Sequence, residues 1–197
     1  MPAGNLAYRE TNPPVAELIE GKIFLMSPRP LVQHNYVVTN VSRIFATYLM
    51  GKTCRAFSDG VDVYLNEKNH YVPDVMIVCD RSKIRADGVH GAPDLVVEVL
   101  SPSTAKNDRG AKLRNYAAAG VREYWIVSPL EKIVEVYWNH EGTFELEETY
   151  ADYADWELAR MTEEERAALP TEIPVSLYDD LRVSVKEIFL DLDTLTP

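Results

Sequence analysis

Apolar positions along the chain recur with two periods, two and about 3.6 residues, and the order in which they succeed one another predicts an α/β protein. Residues 17–25, Glu-Leu-Ile-Glu-Gly-Lys-Ile-Phe-Leu, read as a short hairpin turning at Glu20-Gly21, and Pro28 and Pro30 end the pairing in the loop that follows. From His34 to Met50, the residues Val37, Val41, Ile44, Phe45, Tyr48 and Leu49 recur at helical spacing, with Gly51 as the stop. Residues 55–65 and 70–79 are β-branched and aromatic, and the polar turn 66–69 between them predicts a hairpin.

Residues 94–100, Asp-Leu-Val-Val-Glu-Val-Leu, form a near-continuous apolar run of the kind found in a strand covered on both faces, interrupted only by Glu98. Ser101-Pro-Ser-Thr104 then supplies capping chemistry for a helix from about Ala105 to Ala119, closed by Gly120. Residues 121–127 are another buried strand, and strand, helix, strand with short links implies a parallel crossover. A further hairpin is expected over 131–138 and 143–150 around Glu141-Gly142. Residues 151–169 look helical, Pro170 and Pro174 break that pattern, and 178–190 adds a last short strand and helix. The core order is helix, strand, strand, strand, helix, strand, or αβββαβ, around a mixed sheet flanked by helices.

Composition changes this picture in one respect. The chain has 197 residues with 20 Lys+Arg against 31 Asp+Glu, a formal net charge of −11, which excludes a basic nucleic-acid-coating protein. The excess is not spread evenly: residues 1–144 hold 16 basic and 16 acidic side chains, and residues 145–197 hold 4 and 15. A single domain spanning 1–197 is therefore expected to carry a neutral core over about 17–138 and an acidic C-terminal extension over about 145–197. Within the neutral part, Lys106, Arg109, Lys112, Arg114 and Arg122 face only Asp108 over residues 100–122, a stretch on which a polyanion can dock. Two cysteines 25 residues apart form neither a disulfide framework nor a zinc knuckle, which suggests a reduced, cytoplasmic setting. No apolar run approaches the ~18 residues of a membrane span. The aromatic stretch Val134-Glu-Val-Tyr-Trp138 suggests an exposed strand and a homodimer.

The chemistry is expected where acids interrupt apolar strands, because an ionised carboxylate inside a protein costs several kcal/mol unless something pairs with it. Asp74, in Tyr-Val-Pro-Asp-Val-Met-Ile-Val, and Glu98 are the two such acids. On neighbouring strands they can face one point and hold a hard cation such as Mg2+, or Mn2+ in its place, and metal-assisted hydrolysis follows as a reaction class. Asp62 falls near Asp74 across the expected hairpin as a possible third ligand. Asp108, Lys112 and Tyr116, spaced by four, share one helix face, from which Lys112 can orient a water. His34, in the first turn of the first helix, and Glu20 are possible helpers. Serine-hydrolase, nucleotide-loop and zinc-protease motifs are absent.

Together, Met26-Ser-Pro with His34, Val72-Pro-Asp-Val, the run Pro93–Thr104, Asp108, Lys112, Tyr116 and Gly120–Pro129 resemble the Uma-two family of restriction-endonuclease-like proteins in the PD-(D/E)xK nuclease superfamily. The resemblance implies the αβββαβ core already read from periodicity, a nucleic-acid substrate, DNA before RNA, and a divalent metal. It matches Asp74 to the motif aspartate and Glu98 to the (D/E). The motif lysine should follow two residues after the glutamate, yet position 100 is Leu. Lys112 is its expected substitute on the following helix, and Lys106 the second choice; Lys106, Arg109 and Arg114 would contact nucleic acid. Residue types alone also admit a hydrolase of small phosphoesters, or an interaction protein that keeps the fold with structural acids.

Overall fold

The computed structural model describes residues 16–25, 31–58 and 60–194; the loop 26–30 expected to end the first hairpin lies outside them. The first hairpin is present: β1 (Ala16–Ile19) pairs antiparallel with β2 (Lys22–Leu25), and Glu20 and Gly21 take positive φ at its turn. Next comes the long helix α1 (Val32–Tyr48).

The expected hairpin over 55–79 proves to be two nested pairings in two different sheets. β3 (Arg55–Ser58) pairs with β6 (Val75–Val78), while β4 (Val63–Asn66) and β5 (Asn69–Tyr71) leave the central sheet and pair with each other. Gly60, at φ +96°, sits in the bend where the chain changes sheets. A short excursion, β7 (Ile84–Arg85) and β8 (Gly88–His90), also joins the second sheet, whose order is β2-β1-β5-β4-β8-β7.

The chain then returns as β9 (Leu95–Val99), crosses through the helical stretch 105–119, and runs parallel to β9 as β10 (Glu123–Ser128). β11 (Ile133–His140) and β12 (Thr143–Ala151) complete a mixed central sheet in the order β12-β11-β10-β9-β6-β3. Taking α1, β3, β6, β9, the helical stretch and β10 in turn recovers the αβββαβ core. Side chains alternate across it as period two demands. Val75, Ile77, Leu95, Val97, Val99, Trp125 and Val127 face α1, and Met76, Val78, Val96, Tyr124 and Ile126 face the second sheet and the crossover helix.

Four expectations need correction. Residues 105–119 are not one α-helix: α2 (Ala105–Asn107) and α3 (Leu113–Ala119) flank a π-helical turn over 108–112. The strand expected to be exposed, Val134–Trp138, belongs to β11, which lies between β10 and β12 with Val134 and Val136 buried, so it offers no free edge. Cys54 and Cys79 are joined by a disulfide, because the β3–β6 register that pairs Arg55 with Val78 brings them together one step further on. The core does not stop near residue 138 but takes in part of the acidic C-terminal extension. α4 (Asp155–Leu158) and α5 (Glu163–Ala168) are exposed, but β13 (Glu172–Pro174), β14 (Arg182–Ser184) and α6 (Val185–Ile188) press Ile173, Val183, Val185 and Ile188 into the same core as α1. Glu123 fastens this segment: fully buried, it accepts hydrogen bonds from Trp125 Nε1 at 2.6 Å and from the Ser176 backbone N–H at 2.7 Å. Among the described residues no helix is long and apolar enough to cross a membrane.

Candidate active site

Pro73 has no N–H to give to a ladder, so β6 begins only after it, and Asp74 stands at the mouth of the strand. β6 and β9 are antiparallel with Val75 opposite Val97. One more step of that register sets Asp74 across from Glu98, where directly opposed side chains share a face with Cβ atoms about 5 Å apart. Asp74 Oδ2 accepts the Val99 backbone N–H at 2.7 Å, and its Oδ1 lies 3.3 Å from His34 Nε2 in the first turn of α1.

Glu98 Oε1 accepts hydrogen bonds from Lys112 Nζ and from the Tyr116 hydroxyl, each at 3.1 Å. Lys112 is thus brought back over the strand that precedes its helix. Its ammonium has two further carboxylate neighbours, Glu17 Oε1 at 2.8 Å and Asp108 Oδ1 at 3.4 Å. The set is enclosed: Glu98, Asp108 and Lys112 are 3%, 1% and 2% exposed, with Glu17 at 6%, His34 at 6% and Asp74 at 9%. Asp74 is the most accessible of the six. An aromatic wall of Tyr71, Tyr116, Tyr124 and Phe144 lies beneath, with Tyr71 edge-on to Tyr116 at a centroid separation of 5.1 Å.

Three carboxylates share one ammonium, with Asp74 as a fourth acid close to Glu98, and burial amplifies the imbalance. Burial pushes the Glu98 carboxyl well above the usual range; Lys112 opposes this, while Asp108, Asp74 and Glu17 reinforce it. Asp108 is raised for the same reasons, burial first. Burial by itself would depress Lys112, but Glu98, Glu17 and Asp108 outweigh it and hold the ammonium well above its ordinary value. Burial likewise keeps the Tyr116 phenol neutral as a donor. Asp108 Oδ1 is enclosed and receives no hydrogen bond.

Among the described residues, no group of three or more His, Cys, Asp or Glu side chains is arranged to hold a metal. The donor set fits a cation held in a sparer way, as Mg2+ commonly is, by one or two carboxylates with waters and substrate phosphates filling the remaining positions. Asp74 and Glu98 supply hard oxygens across adjacent strands, and the surplus of negative charge favours a cation.

The other expected residues divide. Asp62 is not brought to Asp74. The chain changes sheets at Gly60, and Asp62 Oδ1 is paired with His70 Nε2 at 2.8 Å on the second sheet. Glu20 sits exposed on the β1–β2 turn, 3.4 Å from Arg114. Lys106, Arg109 and Arg114 are all exposed, with Arg109 held by Glu135. Sequence reasoning missed Glu17. Its signal was the phase of β1, in which Glu17 and Ile19 point inward together, but Leu18 beside Ile19 left that phase ambiguous.

The Uma2 family model, described as "Putative restriction endonuclease", matches residues 5–172. Two proteins of Synechocystis sp. with the printed description "Uncharacterized protein" are similar. One, slr1290, is 30% identical over 138 residues, 69% of this chain and 72% of the relative; the other, sll1609, is 25% identical over 126 residues, 62% and 71%. A crystal structure from Anabaena variabilis, described as a putative nuclease belonging to DUF820, shares the fold with a TM-score of 0.68 at 21% identity, covering 93% of this chain and 96% of that one.

Proposed function

The chain belongs to the Uma2 family of restriction-endonuclease-like proteins, and from that premise we propose that it is a metal-dependent endonuclease cutting nucleic acid, DNA in the first place, at the Asp74–Glu98–Lys112 centre. The observation that carries this reading is the 3.1 Å contact between Lys112 Nζ and Glu98 Oε1. It supplies from a helix the amine that Leu100 cannot supply from the strand.

In this reading Asp74 and Glu98 hold Mg2+ or Mn2+, which when bound activates a water and neutralises charge developing on the phosphoryl group. His34 orients Asp74, and the Tyr116 hydroxyl orients Glu98 through the oxygen it shares with Lys112. Lys112 keeps its proton. Two of its three N–H groups are spent on Glu17 and Glu98. Asp108 Oδ1 lies 3.4 Å away without a hydrogen bond, which leaves the third N–H for a water or a phosphate oxygen. Lys106, Arg109 and Arg114 on the exposed side of the same helical stretch meet backbone phosphates, which position a duplex without reading its sequence.

The test is cleavage of supercoiled and single-stranded DNA with Mg2+ or Mn2+, comparing wild type with Asp74→Ala. The expected outcome is metal-dependent cleavage by wild type and a loss of at least about 100-fold in the variant, the scale of removing one group that stabilises a transition state. Equal cleavage by both, or no metal-dependent cleavage by wild type, overturns the reading.

A further inference from the structure

We propose that Glu17 is a positioning residue of this centre: a buried carboxylate from the second sheet that fixes both the Lys112 ammonium and the backbone presenting Asp74, an inference that rests on the nuclease reading above. One oxygen, Glu17 Oε1, does both. It lies 2.8 Å from Lys112 Nζ, the shortest of that ammonium's three carboxylate contacts, and accepts the Val72 backbone N–H at 3.0 Å.

The second contact has a local cause. β5 ends at Tyr71 and Pro73 has no N–H, so Val72 carries a buried amide donor at the point where the chain passes from one sheet to the other. Glu17 satisfies that donor, and the two residues leading into Asp74 are thereby pinned. The first contact has an electrostatic cause, since an enclosed ammonium must be paired. Glu98 and Asp108 already neighbour it, from the strand before the crossover and from the crossover itself. Glu17 is the partner contributed by a different sheet, so the position of the amine relative to Asp74 is set by the packing of β1 against β5 rather than by the crossover alone.

The test uses the full chain with Glu17→Gln, Glu17→Ala, Lys112→Met and the double variant Glu17→Gln/Lys112→Met. Glu17→Gln keeps an oxygen for the Val72 amide and removes the charge. It should fold, retain slow hydrogen exchange at Val72, and lower kcat about tenfold with KM within about twofold. Glu17→Ala should accelerate exchange at Val72. In denaturant unfolding the double variant should lose less than the two single losses added together, as contacting residues do. Additive unfolding effects, or cleavage by Glu17→Gln at the wild-type rate, overturn the inference while leaving the nuclease reading intact. Absence of cleavage by wild type overturns the catalytic part together with the reading it rests on, and the unfolding cycle then reports on the contact alone.

Discussion

At Glu98 burial and charge are in direct opposition. The proposed metal chemistry needs the carboxylate, whereas the enclosure favours the acid, with its pKa raised above the ordinary value of 4.5. A group whose folded-state pKa is raised contributes stability that is fully present below its unfolded value and is lost as pH rises through the folded one. Glu98 therefore opposes folding increasingly as pH rises above the usual carboxylate range. Glu98→Gln keeps an oxygen for Lys112 and Tyr116 but removes the charge. The expected outcome is a melting temperature raised relative to wild type more at pH 8 than at pH 5, together with loss of metal-dependent cleavage; thermal scans at the two pH values and the plasmid assay check it. Unchanged stability at both pH values would show that Glu98 is not strained by its surroundings.

The decisive element is the π-helical turn over 108–112, a feature found often at functional sites. The spacing by four places Asp108, Lys112 and Tyr116 on one face, and in the structure Lys112 and Tyr116 reach Glu98 while Asp108 lies beside Lys112. It does not reveal the widened turn, because nothing local separates such a turn from an α-helix; the demand to enclose both Asp108 and Lys112 beside Glu98 is tertiary. Deleting Ala111 would rotate everything before it by about 100° relative to α3. Cleavage should fall to background while helical circular dichroism changes little, and a deletion variant that cleaves normally would show the turn to be incidental. The split of 55–65 into β3 and β4 was hidden for a similar reason. Apolar alternation continues through Val61, Val63 and Leu65, so only the positive φ of Gly60 marks where one sheet hands the chain to the other.

For the whole molecule, the net charge of −11 proves a poor guide to architecture. Charge sets the C-terminal quarter apart as an acidic extension, yet its Ile173, Val175, Leu181, Val183, Val185, Ile188 and Phe189 are buried in the layer against α1. Truncation after residue 144 would strip most of β12 and that layer. It should abolish cooperative denaturant unfolding; a truncated chain that unfolds cooperatively with a wild-type midpoint would show that the core stands without the acidic segment. The alternation of apolar residues, an acid just before one buried strand and an acid inside another determined the αβββαβ core and its two central carboxylates from the sequence alone, because those signals depend on neighbours within a few positions. The sheet change at Gly60, the Cys54–Cys79 link, the burial of the acidic segment and the arrival of Glu17 at Lys112 were decided only by tertiary structure. Each depends on which strands lie side by side, and that is settled by the free energy of the assembled core rather than by any local run of residues.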